Sequence, residues 1–180
     1  MRVIAGSAGG TRLTAPRDRS TRPITDRVKE TLFAILGERV PGARVLDLYA
    51  GSGAIGIEAL SRGAASADFV ERGRAPLDAL RANLAATRLE GDARVHAVDV
   101  DRFLAEGGGA RWDLVFLDPP YELRAIVAPL RALVPHLAPG AMVVVKHFWR
   151  TQVPEVDGLA PIRQRRFGET MLTFLELENA

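Results

Sequence analysis

The 180-residue chain contains no cysteine, which excludes a disulfide scaffold, a thiolate zinc site, an iron–sulfur cluster and a cysteine nucleophile. It has no apolar run near the ~18 residues of a membrane span, and its basic N-terminus lacks the apolar stretch of a signal peptide. A soluble, cytoplasmic protein is the expectation. Disorder is excluded too, because 47% hydrophobic and 26% charged residues is the composition of a chain with a packed core. Lysine is scarce: of 24 basic residues only Lys29 and Lys146 are not arginine. Arginine suits bidentate phosphate contacts, and an arginine excess equally fits the coding bias of a GC-rich genome. Position says more than number. Residues 1–30 carry Arg2, Arg12, Arg17, Arg19, Arg22, Arg27 and Lys29 against Asp18, Asp26 and Glu30, a balance of +4, while the remainder carries −2. A basic arm ahead of a slightly acidic body points to a polyanionic partner.

The first fifteen residues read as a hairpin, with Arg2–Ala5 going out, Gly6, Gly9 and Gly10 turning, and Thr11–Thr14 returning. Asp18–Pro23 is polar and loop-like. A helix over 26–36 follows, with Thr25 as N-cap and Val28, Leu32, Ile35 and Leu36 on one face. From Arg44 a strand–loop–helix rhythm sets in. Strands are expected at Arg44–Leu48, Ala67–Val70, Arg94–Val98, Asp113–Leu117 and Ala141–His147, with helices at 53–62, 74–87, 100–106 and 123–135 between them. Short apolar strands alternating with helices imply βαβ units and a parallel sheet covered on both faces. Ile162–Phe167 and Met171–Leu177 flank Gly168-Glu169 without a helix, so an antiparallel hairpin should close the chain. The expected layout is a basic N-terminal extension of hairpin and helix over residues 1–40 and a doubly wound domain over 41–180.

Gly51-Ser52-Gly53-Ala54-Ile55-Gly56 is a literal G-x-G-x-x-G between a strand and a helix. Such glycines admit a ligand close to backbone N–H groups, and the helix N-terminus behind them favours negative charge. Glu71 ends the second strand twenty residues after Gly51, where an acid takes ribose hydroxyls. A nicotinamide dinucleotide fits the glycines, but Asp47 argues against it, since a carboxylate four positions before the loop repels pyrophosphate. It suits a ligand with a cationic end. S-adenosylmethionine, with an ammonium, a sulfonium and no phosphate, is the favoured cofactor.

Asp118-Pro119-Pro120-Tyr121 closes the fourth strand, and ligands of open α/β sheets bind beyond the carboxyl ends of strands. The prolines fix the backbone and leave carbonyls unpaired. A carboxylate and a neighbouring carbonyl can then accept both hydrogens of a planar amino group while an aromatic ring stacks on its base. That amine is a weak nucleophile, because its lone pair is conjugated into the ring. Two acceptors that draw it toward tetrahedral geometry and stabilise developing positive charge supply the electrostatic catalysis. The reaction needs neither a metal nor a covalent intermediate.

With these motifs the chain resembles the RsmD family of bacterial 16S rRNA guanine-N2 methyltransferases along essentially its whole length. The matching stretches are Arg2-Val3-Ile4-Ala5-Gly6 with Gly9-Gly10, Arg22-Pro23-Ile24-Thr25-Asp26-Arg27-Val28-Lys29-Glu30, Asp47-Leu48-Tyr49-Ala50-Gly51-Ser52-Gly53 through Glu58-Ala59-Leu60-Ser61-Arg62-Gly63, Asp118-Pro119-Pro120-Tyr121 and Phe167-Gly168-Glu169-Thr170. Ile24 and Phe167-Gly168-Glu169 stand where the family tends to have Thr and Tyr-Gly-Asp, which bears on the fine contacts of those loops. The resemblance implies a class I, Rossmann-like methyltransferase fold with a seven-stranded, mostly parallel sheet and one antiparallel strand. It implies methyl transfer from S-adenosylmethionine to the exocyclic amine of a guanine in 16S rRNA, within a small-subunit particle or assembly intermediate, by a protein expected to be a monomer.

Carried over, Asp47, Gly51 and Gly53 hold the methionine end of the cofactor, with Tyr49, Ala50 and Ser52 in the same loop. Glu71, followed by Arg72, holds the ribose. Asp99 meets the adenine amine with the Val100 amide on its ring, Asp101 being a rival for Asp99. Thr25 joins the candidate cofactor set, and Arg22 and Arg27 are open between cofactor carboxylate and RNA. Asp118, Pro119, Pro120 and Tyr121 carry the target base. The seven basic residues of the arm are the candidate RNA contacts.

Other signals are weaker. His96, His136 and His147 lack metal-site spacing, and His147 reads best as a satisfied structural histidine. Ser52 and Ser61 lie in no G-x-S-x-G elbow. Arg163, Arg165 and Arg166 fit either an RNA grip or a solvated strand face. Two other functions stay open: amino-methylation of another target such as DNA adenine, another RNA or a protein glutamine, and a catalytically idle RNA-binding assembly factor.

Overall fold

The computed structural model describes residues 1–16, 24–107, 111–119 and 124–178, the side chains of residues 124 and 125 excepted. Seven strands, β1 (Arg44–Leu48), β2 (Ser66–Val70), β3 (Ala93–His96), β4 (Trp112–Leu117), β5 (Leu137–Phe148), β6 (Leu159–Phe167) and β7 (Thr170–Leu177), form one sheet in the order β3-β2-β1-β4-β5-β7-β6. All neighbours are parallel except β7, which runs antiparallel to both β5 and β6. Among the described residues five α-helices accompany it: α1 (Asp26–Leu36), α2 (Ala54–Ser61), α3 (Arg74–Thr87), α4 (Val100–Glu106) and α5 (Arg124–Leu133). Among the described residues no helix is long and apolar enough to cross a membrane.

The strand period of two sorts the core into two layers. Val45, Leu114, Phe116, Met142 and Val144 pack on one face with α1, α2 and α3, and Leu46, Leu48, Val115, Leu117, Val143 and Val145 pack on the other with α4 and α5. α2 is buried along its whole length, its two polar side chains Glu58 and Ser61 both hydrogen-bonded. α1 begins where expected, its cap Thr25 accepting from the Val28 amide at 3.4 Å.

Two strands start well ahead of their expected first residues, Ala141 and Ile162, each for the same reason. β5 runs through Pro139-Gly140, where the register against β4 shifts between Trp112 and Leu114. Pro161 lies within β6, on the sheet edge, where the register shifts again between Pro161 and Arg163. Bulges and edges are where a strand tolerates a residue without an N–H. β3 ends at His96, short of Val98, and the last turn of the helix expected over 123–135 is a separate 3-10 turn, Val134–His136.

The N-terminal hairpin is held by a single bridge, Arg2 to Arg12, with bonds from the Val3 amide to the Thr11 carbonyl and from the Gly10 amide to the Val3 carbonyl, both 2.9 Å. It is sewn to α2. The Ile4 and Ala5 amides donate to the Glu58 carboxylate at 2.8 and 3.1 Å, the Ala8 amide donates to Ser61 Oγ, and Ser61 Oγ donates to the Ala5 carbonyl. Gly6 (φ +87°) sits so close that a Cβ would lie 1.7 Å from the Ser61 carbonyl oxygen. Val3, Ala8 and Leu13 share the α1–α2 core layer.

This packing overturns one expectation. Lys29, expected to contact RNA, is fully buried, and its ammonium donates to the Arg2 carbonyl at 2.6 Å and to Glu58 at 3.1 Å. A buried carboxylate needs a cation, and the long lysine stem reaches Glu58 from α1 while Arg62 reaches it from the C-cap of α2.

Candidate active site

β1, β2, β3 and β4 end at the carboxyl edge of the sheet, and of the sequence-predicted residues Asp47, Gly51, Glu71, Asp99 and Asp118 lie at or just beyond those ends. Asp47 is 2% exposed, and its Oδ2 accepts from the Gly56 amide at 3.0 Å. Gly56 is glycine for that approach: a Cβ would come within 2.3 Å of the Phe69 ring and 3.1 Å of Asp47 Oδ2. Burial pushes the Asp47 carboxyl up to about 8, the Gly56 amide opposing and the charges of Asp118 and Glu71 adding to the rise. Among the described residues no cation pairs with this carboxylate. That is a physical fit for a cationic ligand above the glycine loop, where Gly51 (φ +57°) faces open space.

Glu71 ties the loop to the end of β2. Its Oε2 accepts from the Gly51 amide at 3.0 Å and its Oε1 from the Gly73 amide at 2.7 Å. Each oxygen keeps a second lone pair for a diol. Asn83 of α3 holds the loop from beneath, donating to the Ser52 carbonyl at 2.9 Å and to the Thr14 carbonyl at 3.0 Å, and so couples the N-terminal arm to the glycine loop. Tyr49 takes a left-handed backbone (φ 58°), a strained conformation for a bulky residue. Its half-buried hydroxyl is pushed up to about 12 by burial, with the charges of Asp101 and Asp99 adding.

Asp99 caps α4 by accepting from the Asp101 amide at 3.0 Å and pairs with Arg72 at 2.9 Å. Asp99 therefore stands at the loop mouth with Val100 behind it, whereas Asp101 lies in the first helical turn. Thr25 is engaged in capping α1.

Asp118 follows β4, its amide donating to the Leu48 carbonyl at 3.4 Å. Pro119 is buried. Pro120 and Tyr121 lie outside the described residues, as do Arg17, Arg19 and Arg22. Alternation along β1 and β4 places Asp47 and Asp118 on the same side of the sheet as Val45 and Phe116. Burial raises the Asp118 carboxyl above its ordinary value, opposed by the charge and hydrogen bonds of Lys146. Lys146 Nζ lies 2.8 and 2.7 Å from the two Asp118 oxygens. Sequence reasoning missed this residue. The available signal was that a chain so poor in lysine keeps one beside the end of its fifth strand.

Of the arm's cations, Arg12 and Arg27 are exposed, and Arg2 is exposed but pairs with Asp26 at 3.2 Å. A second group of cations flanks the catalytic edge beyond β5. The Arg150 and Arg166 guanidinium groups sit over the Trp149 ring, 4.7 and 3.8 Å from its centroid, and Arg163, Arg165 and Arg166 are exposed on β6. His147 is structural: its ring bonds the Phe148 carbonyl at 2.9 Å and Thr173 Oγ1 at 2.8 Å, and burial lowers its pKa.

A family model described as conserved hypothetical protein 95 matches residues 1–176. Ribosomal RNA small subunit methyltransferase D of Escherichia coli is 39% identical over 158 residues, covering 87% of this chain and 79% of that protein. YlbH of Bacillus subtilis is 38% identical over 175 residues, covering 94% and 95%. The solved structure of yhhF from Escherichia coli superposes with a TM-score of 0.89 at 35% identity, covering 99% of this chain and 98% of that one. The sheet is that of a class I, Rossmann-like methyltransferase.

Proposed function

Since the chain belongs to the RsmD family, that of ribosomal RNA small subunit methyltransferase D, we propose that it transfers a methyl group from S-adenosylmethionine to the exocyclic N2 amine of a guanine in 16S rRNA. The observation that carries this reading is the placing of a buried carboxylate, Asp47, unpaired with any cation among the described residues, and an acceptor carboxylate, Asp118, on one face at the carboxyl edge of the sheet. Asp47 and the Gly51–Gly53 backbone hold the cationic methionine end, Glu71 holds the ribose, and Asp99 with the Val100 amide holds the adenine. The cofactor supplies an electrophilic methyl on a sulfonium.

Asp118 and the Pro119 carbonyl accept the two amine hydrogens and bring the nitrogen lone pair out of conjugation, and Tyr121 stacks on the base. Acceptors already in place when positive charge develops on nitrogen stabilise the transition state more than the ground state. Arg12 and Arg27, with Arg2, Arg17, Arg19 and Arg22 of the same arm, bind RNA phosphates and position the strand without reading it. The substrate is RNA in a small-subunit particle or assembly intermediate, and the enzyme acts as a cytoplasmic monomer.

The test is incubation of the purified protein with labelled S-adenosylmethionine and small-subunit particles, with the modified nucleotide mapped by mass spectrometry. Label at a guanine N2 of 16S rRNA is the expected result. Label on another nucleobase or on protein overturns the substrate, and no turnover on any RNA overturns the enzyme.

A further inference from the structure

Both lysines of the chain sit on carboxylates, Lys29 on Glu58 and Lys146 on Asp118. The first pair is fully buried and locks the arm to α2. The second is not enclosed: the Lys146 side chain is 16% and that of Asp118 32% exposed, so the pair is open to solvent at the carboxyl edge of the sheet.

Register explains how the two meet. Leu117 pairs with Val145, which sets Asp118 level with Lys146 on adjacent parallel strands and on one face. The ammonium bonds both carboxylate oxygens. A carboxylate offers about four lone-pair positions, so one on each oxygen stays available while the lysine is bound. Lys146 and an amine can therefore be held by Asp118 together.

Among the described residues, Asp118 is coupled electrostatically to Asp47 of β1 and bonded on both oxygens by Lys146 of β5. It is partly desolvated beside that second acid, conditions that favour its neutral form and that the Lys146 ammonium opposes. Protonated, it would present an O–H to the amine on one oxygen and lose the charge that stabilises a developing ammonium. We propose that Lys146 is a positioning residue of the transfer step, holding Asp118 ionised and oriented so that both oxygens accept.

The proposal rests on the methyl-transfer reading and deepens it. As the bond from nitrogen to methyl forms, the sulfur–methyl bond breaks and its electron pair stays on sulfur, leaving a neutral thioether. The amine nitrogen then releases one proton to water. Asp118, stabilised as an anion by Lys146, remains a carboxylate throughout and acts as an acceptor and not as the final proton carrier.

The experiment compares wild-type protein with Lys146→Met, which keeps the apolar stem and removes the charge, in single-turnover methylation of small-subunit particles from pH 6 to 9. Wild-type turnover is established first; its absence overturns the methyl-transfer reading and not the role of Lys146. With turnover in hand, the Met variant should lose about tenfold or more in rate at pH 7 for each unit by which its Asp118 titrates above that pH. It should recover as pH rises, with KM for S-adenosylmethionine unchanged within about twofold. Lys146→Arg, which supplies a bidentate cation, should restore the wild-type profile. Lys146→Gln is the second neutral variant should the Met form unfold. Asp118→Asn should make position 146 indifferent, so that adding Lys146→Met costs nothing further. A neutral variant with the wild-type pH profile, or one that loses only cofactor affinity, overturns the proposal.

Discussion

Replacing Asp47 by Asn should make the ligand-free protein more stable and the cofactor-bound complex weaker. Asn keeps the shape and the acceptor for the Gly56 amide, and removes only the charge. In the folded chain the Asp47 carboxyl titrates at about 8, against 3.8 for the ordinary group, with burial as the main cause. A folded-state value raised above the unfolded one stabilises the protein fully only below about pH 4, and that contribution is lost progressively as pH rises to about 8. At about 1.4 kcal/mol per unit, the folded protein at pH 7 bears a penalty of up to about 4 kcal/mol relative to a neutral side chain. Partial relaxation reduces this, and a gain of about 2–4 kcal/mol for Asp47→Asn at pH 7 is expected, shrinking toward zero near pH 4.

Binding should move the other way. A cationic ligand favours the ionised form, so wild-type affinity for S-adenosylmethionine should rise about tenfold per pH unit below 8 and level off above it. Asp47→Asn should weaken it by about 1–3 kcal/mol, the cost of losing a charged partner, and abolish the pH dependence. Urea unfolding at pH 5, 7 and 9, with calorimetry in buffers of different ionisation enthalpy, reads both effects and the proton released on binding. An Asn variant less stable than wild type at pH 7 and 9, or one that binds the cofactor as tightly with the same pH slope, would refute the reasoning.

Asp118→Ala should reduce single-turnover methylation by at least about a hundredfold while cofactor affinity measured by calorimetry stays within about threefold; near-normal turnover would remove Asp118 from the site. Lys29→Met should lower stability by about 2–4 kcal/mol in urea titrations, because Glu58 then keeps only Arg62 and two backbone amides as partners, and should leave the salt slope of RNA binding untouched. Arg12→Ala with Arg27→Ala should flatten the slope of log affinity against log salt by about 1.4, two phosphates at about 0.7 each, with unchanged unfolding. An unaltered slope would make those arginines merely solvated.

Much of the architecture is local and could be read directly. The 3.6-residue period and its Thr25 cap delimit α1, the Arg44–Leu48 apolar run delimits β1, and Gly168-Glu169 turns the last hairpin, all as observed. The glycine loop and Asp118-Pro119 were legible because their chemistry depends on neighbours in sequence. Other features hinge on partners far along the chain. Helical spacing puts Lys29 on the stripe of Leu32, Phe33 and Leu36 and Arg27 off it, but the partner that makes a buried ammonium tolerable, Glu58, lies far along the chain. Pro139 and Pro161 look like strand breakers until a bulge and a free edge accommodate them.

Residue type and spacing were therefore enough to determine the alternating sheet and to single out the glycine loop and the Asp118-Pro119 motif proposed to take the cofactor and the amine. Tertiary structure alone decided the electrostatics of that site. Asp47 lies nine residues from its amide partner and under α2, and Asp118 meets its ammonium 28 residues on, across two adjacent strands. Desolvation and Coulomb energy depend on distance and burial in space, and neither is set until the strands have chosen their order and register.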